Sequence, residues 1–214
     1  MSSDRIRVLL VDDHAIARNG VRLMLGTAAD IDVAGEAADA QQALVLLRQE
    51  AFDVALLDIT MPGMNGLDLL RHLHNDYPGM AVLILSTYAE EIYAVRALKQ
   101  GAAGYLTKDA PTAVLVDAVR RAAGGRKYVS PSLVEKLASL VSGDAAAAGH
   151  EALSNRELEV FKLIALGEPL VQIGEKLHLS PNTVTTYRAR ILDKMGMSSN
   201  AELTRYALEH RIIQ

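Results

Sequence analysis

Cysteine and tryptophan are both missing from this chain of 214 residues. Without cysteine, neither a disulfide framework nor a thiolate metal site can form. That suits a reducing compartment, and a cytoplasmic protein is the expectation. No segment reaches the roughly 18 uncharged residues of a membrane span. The opening Met-Ser-Ser-Asp-Arg leads straight into the strand-length run Ile6–Val11, without the longer apolar stretch of a signal peptide. Excess positive charge is lacking as well: the net charge is −4. Residues 1–150 hold 14 Lys and Arg against 18 Asp and Glu, whereas residues 151–214 hold 8 of each. A chain so charged does not coat nucleic acid by bulk attraction, so any such binding must come from a local patch.

What is present is ordinary for a globular protein, with 50% hydrophobic and 22% charged residues, in a length that suits two domains. Over the first 125 residues, apolar runs at 6–11, 31–36, 54–57, 82–85 and 104–106 alternate with helix-period stretches near 15–28, 39–50, 66–76, 90–100 and 111–124. Five strands alternating with five helices predict a doubly wound parallel sheet covered on both faces, in the order 2-1-3-4-5. Gly124-Gly125 stops the fifth helix. Ser130-Pro131 opens another short helical run over 132–141, and the small residues of 142–149 read as a linker. The expected domains are therefore 1–125, a linker with a short helix over 126–150, and 151–214.

The last segment predicts four helices. Ser154-x-x-Glu157 is a capping box, Gly167 ends that helix, and Pro169 begins the next. Ser180-Pro181 starts a third, which ends near Gly196. Ser199-x-x-Glu202 reads as a second capping box, opening a last helix to about His210.

Chemistry gathers at the strand ends of the first domain. Asp12 and Asp13 follow strand one and Asp58 ends strand three, which are neighbours at the switch point where ligands bind in such sheets. Three converging carboxylates repel unless a cation lies among them, and a hard, all-oxygen set suits Mg²⁺. Ser86 ends strand four and Lys108 ends strand five. A hydroxyl and an ammonium facing a carboxylate and a metal form a binding set for a phosphoryl group on Asp58 as nucleophile. Tyr105 is placed to sense what Ser86 does. Each of these residues alone has a plain reading as a cap or turn residue; five at strand ends of one sheet do not.

These motifs, Val-Asp12-Asp13-His, Leu-Leu-Asp58-Ile-Thr-Met-Pro62-Gly-Met-Asn-Gly66, Ile-Leu-Ser86-Thr-Tyr and Gly-Tyr105-Leu-Thr-Lys108-Asp, resemble the receiver domains of NarL/FixJ-type response regulators. The resemblance implies that Asp58 takes phosphate from a sensor histidine kinase. It also implies that Asp13, Asp58 and the Thr60 backbone carbonyl ligate Mg²⁺, with Asp12 assisting. Asn65 stands where such receivers frequently have Asp, and Asp109 where many have Pro. An Asp-nucleophile phosphatase of the haloacid-dehalogenase type is disfavoured, because it needs a second Asp two residues after the nucleophile, where this chain has Thr60. The expectation is a non-enzyme.

Residues 172–190 fit a helix-turn-helix. Gly174 is small where two helices cross, and Ile173, Leu177, Leu179, Val184 and Ile191 lie at core spacing. The second helix presents Asn182, Thr183, Thr185 and Thr186 near its start, then Arg188, Arg190 and Lys194. Short polar residues facing bases and cations facing phosphates suit a helix in a major groove. Taken alone, those cations read more readily as an ordinary solvated face. The surrounding pattern from Leu153 through Val184 resembles the LuxR-type output domain, although 170–174 reads Leu-Val-Gln-Ile-Gly and position 185, often Lys in the family, is Thr. Together these readings imply a regulator that forms a homodimer on phosphorylation and binds promoter half-sites of double-stranded DNA, without a membrane. Leu203, Tyr206 and Ala207 on the last helix are the expected dimer contact, and a neutral output domain implies weak DNA binding by a monomer. Tyr88, Tyr93 and Tyr105 fall where receivers commonly make switch and interface surfaces.

Overall fold

The computed structural model describes residues 5–87, 90–141, 149–210 and 212–213. The chain forms two compact units, residues 1–138 and 139–214. Tyr88 and all but the last residue of the expected linker 142–149 lie outside the described residues.

The first unit alternates β1 (Ile6–Val11), α1 (Ala15–Leu25), β2 (Ile31–Ala37), α2 (Ala40–Gln49), β3 (Val54–Leu57), α3 (Gly66–Asp76), β4 (Ala81–Ser86), α4 (Glu90–Lys99), β5 (Gly104–Thr107) and α5 (Thr112–Ala123). The sheet is parallel throughout, in the order β2-β1-β3-β4-β5. Every residue of β3, and all but the first of β4, is buried, as burial on two faces requires. The edge strand β2 is only partly covered. One apolar cluster on a sheet face joins Val8, Leu10, Val54, Leu56, Leu83, Leu85 and Leu106 to Val21 and Leu25 of α1 and to Leu115, Val119 and Ala122 of α5. Each Val or Leu among them contributes roughly 1.5–3 kcal/mol on burial, which fixes the sheet beneath the strand ends.

Helix α1 stops at Leu25 instead of near 28. The Thr27 hydroxyl and amide both turn back onto the Met24 carbonyl, closing the chain before another helical turn can form. After α5, Tyr128 bridges to Gly104 at the sheet edge, and a Cβ on Gly104 would lie 2.6 Å from the Tyr128 carbonyl oxygen. Close approach of two backbones requires glycine there. Helix α6 (Pro131–Val141) follows.

The second unit takes in the end of α6, then a short 3-10 turn (Gly149–Ala152), α7 (Asn155–Ala165), α8 (Leu170–Leu177), α9 (Pro181–Met195) and α10 (Asn200–Glu209). The capping box of Ser154 and Glu157 is complete. The one at Ser199 is half formed. Ser199 caps the Glu202 amide, but the Glu202 carboxylate accepts from the amide and hydroxyl of Ser198 rather than from the Ser199 amide. Between α8 and α9 the Leu179 amide donates to the Gly174 carbonyl, and a Cβ on Gly174 would meet the Leu179 carbonyl at 2.7 Å. This close approach sets the turn between the two helices. Among the described residues no helix is long and apolar enough to cross a membrane.

Candidate functional site

Register brings the acidic residues together. Val11 pairs with Leu57 across β1 and β3, and the Asp58 amide donates to the Val11 carbonyl at 2.8 Å, so Asp12 and Asp58 leave adjacent strands side by side. Ser86 pairs with Thr107 across β4 and β5, and the Lys108 amide donates to the Ser86 carbonyl at 2.8 Å. Lys108 Nζ then reaches back to Asp12 Oδ2 at 2.6 Å and Asp58 Oδ2 at 2.9 Å. The other Asp58 oxygen accepts from the Ile59 amide at 2.8 Å. Ser86 is fully buried, and Thr60 is half-buried in the loop just beyond Asp58. Tyr105, buried, shares a sheet face with Thr107, Ile84 and Ser86, because side chains alternate along a strand. Tyr93 is buried as well.

Two buried carboxylates beside one ammonium leave a charge imbalance. Burial pushes the Asp58 carboxyl above its ordinary 3.8, Lys108 opposes that shift, and the Asp12 charge adds to it. Burial pulls Lys108 downward, but its bonds to Asp12 and its attraction to Asp58 outweigh this, and the net shift is upward. The unfolded chain loses the Asp58 proton near 3.8, whereas the folded chain holds it to higher pH. Stability therefore falls as pH rises from there through the raised value. Asp58→Asn is expected to raise receiver stability at neutral pH by about 1 kcal/mol. Thermal denaturation of the two proteins without divalent ions checks this; an unchanged or lower midpoint for the variant contradicts it.

The ligating atoms of Asp12, Asp13, His14 and Asp58 all lie within 4.8 Å of one another. Asp13 Oδ1 is buried and makes no hydrogen bond among the described residues, although His14 Nδ1 stands 2.7 Å away. A carboxylate oxygen so placed fits a hard cation.

Three residues support this pocket in ways the sequence did not assign. Arg18 Nη1 donates to the Asp12 backbone carbonyl at 2.5 Å, and its guanidinium also faces Glu36. Asn65 is buried and caps α3 by accepting from the Asp68 amide, so its identity serves the helix start. A Cβ on Gly66 would lie 1.8 Å from the Asp58 carbonyl oxygen. Its place at the end of the Asp58–Gly66 motif was the available signal.

In the second unit, α9 buries Val184 and Ile191 and exposes Asn182, Thr185, Thr186, Arg190 and Lys194; Thr183 and Arg188 are half-buried. Not all of these side chains stand free. Arg188 Nε donates to Asn200 Oδ1 at 2.7 Å, tying α9 to α10. Lys194 Nζ donates to the buried Glu157 Oε2 at 2.6 Å, tying α9 to α7. Burial pushes Glu157 up, but Lys194 and the Ser154 contacts more than offset this and hold it below the usual value. The hydroxyl of Thr183 meets Ser180 Oγ at 2.8 Å. Among the described residues, the side chains of Asn182 and Arg190 are engaged by no other group.

The expected dimer contact on α10 falls on residues already engaged within the unit. Leu203 and Ala207 are fully buried within the unit, where α10 packs on α7. Tyr206 hydrogen-bonds His150 Nδ1 at 2.9 Å and sets its ring edge against Phe161. An amphipathic helix turns its apolar stripe to its own domain first. The open side of α10 carries Ala201, Arg205, Leu208 and Glu209.

Comparison with known proteins agrees with this geometry. Residues 8–120 match the response regulator receiver domain family, and residues 151–207 match the bacterial regulatory proteins of the luxR family. The chain belongs to the response regulators. It is similar to the response regulator GacA of Pseudomonas protegens, with 36% identity over 97% of this chain and 98% of GacA. It is also similar to the response regulator UvrY of Escherichia coli, at 34% over 96% of this chain and 94% of UvrY. Among solved structures, the response regulator ChrA of a heme-sensing two-component system is 36% identical and has a TM-score of 0.54, covering 98% of this chain and all of ChrA. The first unit is thus a receiver domain, and the second a LuxR-type DNA-binding domain of helix-turn-helix form.

Proposed function

We propose that Asp58 accepts a phosphoryl group from a sensor histidine kinase, and that the modified receiver drives homodimerisation and binding of the output domains to promoter half-sites. The carrying observation is the Asp12–Lys108–Asp58 constellation, with distances of 2.6 and 2.9 Å, at the end of a parallel sheet. A carboxylate oxygen of Asp58 attacks phosphorus; the P–N bond of the phosphohistidine breaks as the O–P bond forms, and the imidazole leaves. Lys108 neutralises charge on the transferred oxygens, and Ser86 donates its hydroxyl to one of them. Asp13, Asp58 and the Thr60 carbonyl, with Asp12 assisting, would hold Mg²⁺, which when bound would supply positive charge where negative oxygens gather. Tyr105, behind Ser86 on the same sheet face, couples that contact to the β4–α4–β5 surface.

The test is incubation of the full-length protein with acetyl phosphate, read on a phosphate-affinity gel. A shifted band that needs Mg²⁺ and disappears with EDTA supports the reading. A band that never shifts would leave a receiver that does not work as one. The domains are read as a receiver over 1–125, a connecting segment over 126–150 and an output domain over 151–214, in a cytoplasmic, non-enzymatic regulator.

In the output domain, α9 is the recognition helix, with Asn182, Thr183, Thr185 and Thr186 toward bases and Arg190 on phosphate. Arg188 and Lys194 reach DNA only by leaving Asn200 and Glu157. Arg190→Ala is expected to lower the salt slope of DNA binding by about one, with stability unchanged. Lys194→Ala leaves Glu157 buried without its cation, and should cost about 2 kcal/mol of output-domain stability with less change in slope. Salt-titrated anisotropy and thermal denaturation of both variants check this pair; equal slope changes would contradict it. Pairing along α10 would use its outward residues Arg205 and Leu208.

A further inference from the structure

The centre of the outward face of α9 carries no cation. Val184 and Ile191 mark the buried face, and the helical repeat of 3.6 residues sets Asn182, Thr186 and Ala189 on the opposite side, flanked by Thr185. Asn182, Thr185, Thr186 and Ala189 are all exposed. Arg190 sits at the edge of this stripe, and Arg188 is turned away to Asn200. The two threonine hydroxyls have committed their protons. Thr185 Oγ1 donates to the Pro181 carbonyl and Thr186 Oγ1 to the Asn182 carbonyl, both at 3.0 Å. Pinned in this way, each hydroxyl can only accept, and each threonine offers its methyl beside that of Ala189.

We propose that this response regulator reads A·T pairs through thymine methyl groups: Thr185, Thr186 and Ala189 pack on thymine C5-methyls, and the free Asn182 amide takes adenine. In the major groove only thymine presents a methyl, alanine and threonine methyls are its apolar partners, and asparagine matches the adenine N6/N7 edge. Guanine is matched by Arg or Lys, which the centre of this stripe lacks, Arg190 standing at its margin. The inference rests on α9 being the recognition helix.

The full-length protein, treated with acetyl phosphate, is used to select bound duplexes from a random pool. Enriched duplexes are then remade with deoxyuridine for thymidine at single positions, which removes the 5-methyl and keeps the pairing edge. Enriched half-sites are expected to hold A·T pairs at their centre, and each contacted thymidine lost should weaken binding roughly four-fold, the effect of one buried methyl group. Thr186→Val keeps a methyl and should preserve this discrimination, whereas Thr186→Ser keeps the hydroxyl and should lose it at one position. Half-sites centred on G·C, indifference to deoxyuridine, or loss of discrimination in Thr186→Val would overturn methyl reading while leaving DNA binding intact. Absence of any enriched sequence would overturn the recognition-helix reading and this one with it.

Discussion

Replacing Asp58 with alanine is expected to remove every response of the protein to a phosphoryl donor: no shifted band, no donor-dependent dimer and no donor-dependent gain in DNA affinity. The side chain follows directly on β3, at the middle of the sheet, and contacts Lys108 through one oxygen and the Ile59 amide through the other. Asp12 contacts the same lysine at 2.6 Å and accepts from the His14 amide at 2.8 Å, so it holds Lys108 in place when Asp58 is replaced. Alanine leaves Lys108 paired to Asp12, so the fold should survive and the loss should be chemical. Light scattering and anisotropy with acetyl phosphate, set against the untreated variant, read the effect. A variant that still dimerises on donor addition would move the acceptor elsewhere.

The second large effect is expected from one carbon atom. In Gly66→Ala, the added Cβ would sit 1.8 Å from the Asp58 carbonyl oxygen, 2.8 Å from its carbonyl carbon and 3.0 Å from Ile59 Cα. All three are backbone atoms, so no side chain can rotate away. The first turn of α3 must move, and the bond from the Gly66 amide to the Ile59 carbonyl, 2.8 Å, is lost or stretched. Overpacking of this kind costs on the order of 3 kcal/mol. Because the backbone met is that of Asp58 and Ile59 themselves, relief of the clash also displaces the acceptor, and phosphoryl acceptance should fall roughly 100-fold, as misplacement by about 1 Å does in other sites. Gly63→Ala is the control. Its φ of +76° makes alanine strained by about 1 kcal/mol, but its Cβ meets nothing within 4 Å, so acceptance should be nearly unchanged. Denaturant titration and the acetyl phosphate rate of both variants decide the matter; equal rates would contradict the packing argument.

The sheet and the acidic pocket were legible in the sequence because both rest on short-range signals. Apolar runs with turn residues between them give parallel strands, and strand order then forces Asp12, Asp58 and Lys108 to one edge. Gly66 was visible only as the end of a motif; that it lies under the Asp58 carbonyl is a through-space fact. The helical unit was legible in outline but not in its assignments. Leu203 and Ala207 lie on an apolar stripe that looks the same whether its own chain or a partner covers it. Lys194 and Arg188 read as free cations because nothing local reveals Glu157, which is 37 residues away from Lys194, or Asn200. The half-formed cap at Ser199 shows the same limit at short range, since Glu202 had two amides within reach and took Ser198.

The most direct measurement of the central claim is a DNA-binding isotherm of the full-length protein, at fixed salt, with and without beryllofluoride and Mg²⁺. The phosphoryl mimic should lower the half-saturation concentration at least about tenfold, with two chains per site, as pairing of two weak half-site binders requires. Superimposable isotherms with one chain per site would show that the charge state of Asp58 does not govern DNA binding.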